Sequence, residues 1–248
     1  MTSDQLAATA RTALACLDLT SLNDKDTPAD IERLCERAQG PLGPTAAVCV
    51  WPRFVALARA RLPAAVRVAA VANFPDGSTD LARALHDTQQ IVDAGGDEVD
   101  VVIPYRDLAC APTLLSEVRR TCERLTLKVI LETGELQDEA LIRKACRMAL
   151  DAGADFLKTS TGKAPISATP AAARLLLQAI VQGGHHRVGF KPAGGIRTVA
   201  DAAPYIALTA EHFGTVMPQR FRIGASGLLN DIEAVLSGGA APVSSATY

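Results

Sequence analysis

The chain has 248 residues, 48% of them hydrophobic, which is enough for one large α/β domain or two small ones. Its formal net charge of −2 gives no excess of positive charge that would favour binding to nucleic acid or to an acidic membrane. No apolar run approaches the roughly 18 residues of a membrane-spanning helix. The six scattered cysteines lack CxxC spacing, and the N-terminus lacks the apolar core of a signal peptide, so we expect reduced thiols in a cytoplasmic protein, not a disulfide framework or a zinc site.

Eight short apolar runs predict buried strands. They span residues 17–20, 46–50, 67–73, 98–103, 127–132, 155–160, 187–192 and 220–224. Amphipathic helical stretches separate most of these runs. Thr27-Pro28 and Thr169-Pro170 are each typical of an N-cap followed by proline in the first helical position. The stretch 136–150 has apolar residues three and four apart, with Gly153 just past its end.

The chain shows no internal boundary before its last few residues. No Gly/Ser-rich linker or change in composition divides it before residue 237. We therefore predict a single domain over residues 1–237. The Gly/Ala/Ser-rich stretch 238–248 is typical of a flexible tail.

One segment occurs twice. Residues 94–100 resemble residues 152–158, and both copies are typical of a helix end, a tight turn and a buried strand. The repeat places Asp100 and Lys158 at the same level of their own strands. Repeated β-α units with continuous apolar strands favour a parallel sheet covered by helices, and eight such strands fit a closed (β/α)8 TIM barrel. The alternative is an open doubly wound sheet, for which a GxGxxG motif is expected after the first strand, and none is present there.

Six ionisable or reactive side chains interrupt the apolar strands. They are Asp18, Cys49, Asp100, Lys128, Lys158 and Lys191. Side chains alternate between the interior and the helices in a barrel, so all six can face inward and converge near the carboxyl ends of the strands, where barrel active sites lie. The alternative is a buried salt-bridge cluster that only fixes strand register.

Lys158 lies in an apolar run that ends at once in a Ser/Thr/Gly turn. Burying an ammonium is costly, so such a lysine is paired, neutral or snorkelling from the strand end. Lys191 lies on the neighbouring predicted strand, and both desolvation and a like charge lower the pKa of a lysine. A neutral amine is the nucleophile that forms a Schiff base, and Asp100 can offset the second positive charge.

Three glycine-containing turns follow the last three predicted strands. They contain Gly162-Lys163, Gly194-Gly195 and Gly224-Ala225-Ser226-Gly227. Glycine amides and helix N-termini bind anions, and the loops after strands seven and eight are a recurring phosphate site in this architecture. The order of the three turns therefore predicts a phosphate site beside the buried lysines.

With these features together, the sequence resembles the deoxyribose-phosphate aldolases, a family of class I aldolases with a (β/α)8 fold. The resemblance covers nearly the whole chain, and its landmarks are residues 17–20, 73–75, 97–102, 128–136, 156–163 and 189–197. It implies reversible cleavage of 2-deoxy-D-ribose 5-phosphate to acetaldehyde and D-glyceraldehyde 3-phosphate, without a cofactor. It also implies that the substrates are a small sugar phosphate and an aldehyde and that the protein is a homodimer.

The resemblance assigns roles residue by residue. Lys158 is the Schiff-base lysine, Lys191 the second lysine and Asp100 the acid–base group. Asp18 and Lys128 match lesser members of the same polar cluster, and a terminal tyrosine such as Tyr248 can fold over the site to assist proton transfer. The predicted substrate- and phosphate-binding residues are Thr20, Cys49, Thr161, Gly162, Lys163, Gly194, Gly195, Gly224 and Ser226.

One position departs from the family. Relatives often have two serines in the turn after strand eight, whereas here the second is Gly227, so one hydroxyl contact to phosphate is missing. Cys49 is either a small core residue or a thiol facing the cavity, where a neighbouring amine would make the thiolate easier to form.

No metal is expected, because the four histidines fall in helix or loop stretches. Two other functions remain open: another class I sugar-phosphate aldolase or transaldolase, and a catalytically silent sugar-phosphate-binding barrel.

Overall fold

The computed structural model describes residues 1–238 as a parallel barrel surrounded by helices. The predicted tail 238–248 lies outside the described residues apart from Gly238, and Tyr248 lies outside them too. The strands are β1 (Leu17–Thr20), β2 (Ala47–Val50), β3 (Arg67–Ala72), β4 (Glu98–Val102), β5 (Thr126–Ile130), β6 (Phe156–Lys158), β7 (Gly189–Lys191) and β8 (Ile223–Ala225). The helices are α1 (Ser3–Ala15), α2 (Pro28–Arg37), α3 (Val55–Arg61), α4 (Leu81–Asp93), α5 (Ala111–Thr121), α6 (Thr133–Leu136), α7 (Glu139–Asp151), α8 (Pro170–Gln182), α9 (Val199–Phe213) and α10 (Leu228–Leu236).

The sheet closes on itself. Its strands follow chain order from β1 to β7, with β8 paired to the other side of β1. Parallel bridges from Phe190 to Phe221 and from Ala193 to Gly224 join the β7 and β8 segments. The predicted (β/α)8 TIM barrel is therefore confirmed, and the open doubly wound alternative is wrong.

All eight predicted strands are present, mostly trimmed by one to three residues at their ends. The predicted caps are also in place: the Thr27 hydroxyl accepts a hydrogen bond from the Asp30 amide, and that of Thr169 from the Ala172 amide. One helix starts later than predicted. The side chain of Asp138 caps α7, so the helix starts at Glu139, and the preceding residues form the separate short helix α6.

The repeated segment gives two equivalent clamps at the N-terminal ends of the strands. Arg59 at the end of α3 donates to Asp97 Oδ2 at 2.7 Å, and that carboxylate accepts from the β3 amide of Val68. Arg119 in α5 donates to Asp155 Oδ2 at 2.9 Å, and that carboxylate accepts from the β5 amide Leu127 N at 2.8 Å. Each clamp fastens a helix to the strand that follows it and to the start of the next strand.

Asp100 and Lys158 are each the third residue of their strands, as the repeat predicts. The ladder pairs Asp100 with Lys128, and it pairs Lys158 with both Ile130 and Lys191. Because paired residues of parallel neighbours point to the same face of a sheet, this register directs the three lysines and Asp100 into the barrel. Within residues 1–238, no helix is long and apolar enough to cross a membrane.

Candidate active site

Among residues 1–238, seven charged side chains occupy the barrel interior, and none is more than 6% exposed. We call these side chains the charged cluster: Asp18, Glu98, Asp100, Lys128, Lys158, Lys191 and Arg222. Five of them were predicted from the sequence to converge, and the structure brings all five together. Buried charges are tolerated only when they are paired, and every member has an opposite charge within ion-pair distance.

Asp100 is the centre of the cluster. Its Oδ1 atom accepts from Lys128 Nζ at 2.8 Å, whereas Oδ2 accepts from Lys158 Nζ at 2.8 Å and from Lys191 Nζ at 2.7 Å. The two amines that share Oδ2 lie no more than about 5.5 Å apart, the sum of those two distances. Asp100 thus holds two lysine amines at short range from each other.

Glu98 and Arg222 complete the cluster toward the N-terminal end of the barrel, and the sequence reasoning missed both. Arg222 donates to Asp18 Oδ1 at 2.7 Å and to Glu98 Oε1 at 2.8 Å, and Glu98 also contacts the Lys128 ammonium. Both residues line a cavity of about 920 Å³. Glu98 precedes Asp100 by two residues, so strand alternation could have placed it on the same face.

The cluster favours a neutral amine on Lys158. Burial, followed by the like charge of Lys191, lowers the pKa of Lys158 and outweighs the opposing effect of Asp100. When Lys158 is neutral, the three remaining cations balance the three carboxylates. The pKa of Lys158 is therefore shifted in the direction that the sequence analysis expects for a lysine beside a second lysine.

Asp100 and Lys191 are held in their charged forms. Burial alone would raise the pKa of Asp100, but Lys128, Lys158 and Lys191 hold it well below its usual range. Burial would likewise lower the pKa of Lys191, but Asp100 and Asp18 raise it above its ordinary value. Lys158 is thus the one lysine of the cluster whose pKa moves toward neutrality.

Cys49 lies in β2 with no exposed surface, and the cluster lysines and Asp100 act on it electrostatically. Burial, followed by the charge of Asp100, raises the pKa of the Cys49 thiol despite the nearby amines. The neighbouring lysines do lower the pKa of this thiol, as expected, but burial raises it by more, so the thiolate is disfavoured overall.

The glycine turns after β6, β7 and β8 lie against one another. A Cβ built on Gly194 would lie 2.8 Å from Gly162 Cα and 2.5 Å from Ser167 Oγ, and Gly194 has a φ of +82°. A Cβ on Gly224 would lie 3.1 Å from Lys191 Cε. Gly195, in contrast, has nothing within 4 Å of its Cβ position. Gly194 and Gly224 therefore need glycine for close packing, whereas Gly195 borders open space.

Both the amide and the hydroxyl of Thr161 form hydrogen bonds within the protein. Its amide donates to Glu132 Oε2 at 3.2 Å, its hydroxyl donates to the same oxygen, and the hydroxyl accepts from Lys163 N at 3.0 Å. Glu132 was not among the predicted site residues. Burial raises the pKa of Glu132, and the hydrogen bonds from Thr161 lower it in part.

The remaining predicted residues lie around the same mouth. Thr20 ends β1, and its hydroxyl donates to the Asp18 carbonyl at 2.8 Å. Lys163 extends from the turn after β6, and its ammonium donates to the Leu22 carbonyl at 2.9 Å. Ser226 directly follows β8 and is exposed. A buried amine with a lowered pKa, a carboxylate and the glycine turns thus lie near the same ends of the strands, which suits covalent carbonyl chemistry on an anionic substrate.

Comparisons with known proteins agree with this geometry. The profile of the DeoC/LacD family aldolases matches residues 12–233. A curated protein of Agrobacterium fabrum, named deoxyribose-phosphate aldolase, is 48% identical over 236 residues, which cover 91% of this chain and 91% of that protein.

Solved structures share the fold. A crystal structure of the apo form of a candidate deoxyribose-phosphate aldolase from Toxoplasma gondii is 26% identical, with a TM-score of 0.87 over 96% of this chain and 100% of that one. A deoxyribose-phosphate aldolase from Aeropyrum pernix, described as a tetramer, is 23% identical with a TM-score of 0.72 over 94% and 98% of the two chains. The second likeness supports the fold alone.

Proposed function

The chain belongs to the DeoC/LacD family of aldolases, which makes it a carbon–carbon lyase, and we propose that it is a deoxyribose-phosphate aldolase. It would cleave 2-deoxy-D-ribose 5-phosphate reversibly to acetaldehyde and D-glyceraldehyde 3-phosphate. The observation that carries this proposal is the buried amine of Lys158, whose pKa is lowered by burial and by Lys191. The name of the 48% identical relative supports the choice of substrate.

The first half of the reaction builds the Schiff base. The neutral Lys158 amine attacks the C1 aldehyde of the open-chain sugar, and loss of water gives a protonated imine. This step replaces a neutral amine with a cation, and Asp100 Oδ2, 2.8 Å from Lys158 Nζ, stabilises the new charge. Lys191 remains protonated beside the same oxygen and can donate a proton to the departing hydroxyl.

The second half breaks the carbon–carbon bond. Removal of the C3 hydroxyl proton lets the C2–C3 bond cleave, and its electron pair moves toward the iminium to form an enamine. D-Glyceraldehyde 3-phosphate leaves, C2 of the enamine takes a proton, and water hydrolyses the acetaldehyde imine. Asp100 is the proposed proton acceptor, directly or through one water. Because the pKa of Asp100 is held so low, we propose that it passes the proton on at once instead of storing it.

The phosphate would bind over Gly162, Gly194, Gly195 and Ser226, with Lys163 at its edge. The exposed Gly195 next to open space supports this placement. The proposed steps need no metal or cofactor. We also propose that the protein is a cytoplasmic homodimer; its six free cysteines support the compartment, and light scattering after gel filtration would test the oligomeric state.

Borohydride trapping tests the central proposal. The protein is incubated with acetaldehyde, reduced, digested and analysed by mass spectrometry, and we expect an adduct of two carbons on the peptide that contains Lys158. Lys158→Met should abolish both the adduct and the aldol reaction, whereas Lys144→Met, on exposed α7 surface, should leave both intact.

Other outcomes would separate the alternatives. An adduct on Lys191 or Lys128 would contradict the assignment of the nucleophile. Trapping with dihydroxyacetone phosphate but not with acetaldehyde would favour a different class I sugar-phosphate aldolase. The absence of both trapping and turnover in a folded protein would favour a silent sugar-phosphate-binding barrel.

A further inference from the structure

Glu132 is a buried carboxylate that the proposed mechanism does not use. It follows β5 and is 1% exposed, and its backbone has φ 53° and ψ 60°, a left-handed conformation that residues other than glycine rarely adopt. A residue is held in such a conformation only when its surroundings fix it. The contacts of its side chain show what it is fixed to.

Glu132 binds the turn after β6 through one residue. Both donors of Thr161, the amide and the hydroxyl, point at Glu132 Oε2, and the Thr161 hydroxyl in turn accepts from the Lys163 amide. Of the three amides at positions 161, 162 and 163, those of Thr161 and Lys163 are therefore occupied. Within residues 1–238, the amide of Gly162 is left without an intramolecular partner.

A second contact joins the same two loops. A Cβ on Gly134 would lie 1.9 Å from the Ile166 carbonyl oxygen, so the α6 turn packs directly beneath the loop that follows the 161–163 turn. The segment 132–134 thus contacts both the 161–163 turn, at Thr161, and the loop that follows it, at Ile166. On the other side, Gly162 faces Gly194, with 3.5 Å between the built Cβ of Gly162 and Gly194 Cα.

From these contacts we propose that Glu132 is a positioning residue that fixes the 161–163 turn so that the Gly162 amide points to the substrate phosphate. The inference deepens the proposed function and rests on it. It assigns Thr161 to the support of the turn and not to direct phosphate binding. It also gives Glu132 an influence on phosphate recognition without contact with the substrate.

The test compares 2-deoxyribose 5-phosphate with unphosphorylated 2-deoxyribose. Glu132→Met removes the acceptor but keeps much of the side-chain volume, and we expect KM for the phosphorylated sugar to rise about 10-fold or more, since charge-assisted hydrogen bonds are being lost. For the unphosphorylated sugar, kcat/KM should change by less than about 3-fold. Glu132→Gln retains an acceptor oxygen and should restore most of the phosphate preference. Glu135 is an exposed carboxylate in the short helix α6, which starts directly after Glu132, and Glu135→Gln should match the parent protein.

Thr161→Val removes the hydroxyl hydrogen bonds to Glu132 and to the Lys163 amide but keeps the bond from its own amide to Glu132. It provides a second route should Glu132→Met fold poorly. If Thr161 acts through Glu132, the double variant should be no worse than either single variant. Fully additive losses would show that Thr161 acts independently of Glu132 and would overturn the proposal. Equal losses for both sugars would also overturn it, because they would indicate a general structural role.

The failure of the proposed function would look different. If the parent protein itself showed no preference for the phosphorylated sugar, the phosphate site would be wrong and this inference would fall with it. If the parent shows that preference and Glu132→Met keeps it, only the inference on Glu132 is overturned.

Discussion

Replacing Lys191 with methionine should raise the pKa of Lys158. Both ammonium groups bind the same oxygen of Asp100, so the substitution removes the nearest like charge. It also changes the charge balance, because the remaining cluster is neutral only when Lys158 is protonated. Asp18 keeps Arg222 at 2.7 Å as a partner, so we expect the barrel to stay folded.

The structure sets the size of this effect. The two nitrogen atoms lie at most about 5.5 Å apart. At an effective dielectric constant of about 20, two unit charges at that distance repel by about 3 kcal/mol, which corresponds to about 2 pKa units. The neutral fraction of Lys158 near pH 7 should therefore fall by about 100-fold.

The assay is the rate of reductive trapping of acetaldehyde by cyanoborohydride between about pH 5 and pH 10, which spans the relevant lysine range. The limb of the profile that rises with pH should move upward by about 2 units in Lys191→Met, and the plateau at high pH should be largely recovered. Lys144→Met serves as the matched surface control. A profile that drops at every pH without shifting would refute the electrostatic argument and would leave Lys191 as a proton donor only.

Three further predictions follow from packing and charge. In urea unfolding, Gly194→Ala should destabilise the protein more than Gly195→Ala, because both residues have positive φ but only a Cβ at position 194 would lie within 3 Å of other atoms. Equal urea midpoints for the two variants would contradict this packing argument. Arg222→Met should cost about 3–5 kcal/mol in the same assay, since it leaves two buried carboxylates short of a partner, whereas the exposed ion-pair variant Arg61→Met should cost less than about 1 kcal/mol. The pKa of Asp100 is lower in the folded than in the unfolded chain, so ionised Asp100 should stabilise the fold fully above the unfolded-state pKa of about 3.9, and this stabilisation should be lost as the pH falls below that value. A free energy of unfolding that stays constant as the pH falls below about 3.9 would contradict this prediction.

The fold could be predicted from the sequence because the strands are short, apolar and evenly spaced, and because the N-caps Thr27 and Thr169 mark the starts of their helices. Boundaries were less accessible. The stretch 136–150 has a helical period throughout, but Asp138 captures the Leu141 amide and sets the start of the helix, a local competition that periodicity does not register.

The site was only partly accessible. Lysines and aspartates within apolar runs stand out because their burial is costly, and these residues do converge. Glu98 and Arg222 are also buried. Glu98 begins its strand, where a charge is usually exposed, and Arg222 lies within the predicted strand 220–224 but precedes β8 in the structure. Glu132 was missed because it lies beyond the strand end, and its role depends on a hydrogen bond to residue 161 that no spacing predicts.

The two clamps formed by Arg59 with Asp97 and by Arg119 with Asp155 lie at the opposite end of the barrel from the reactive lysine. The ion pairs that stabilise the scaffold and the residues that carry the chemistry therefore lie at opposite ends of the barrel. For protein engineering, this separation means that loops at the reactive end can be diversified toward new aldehyde acceptors while the clamped end preserves the scaffold. Random mutagenesis libraries that spare these four side chains should retain a larger share of folded members than libraries that include them.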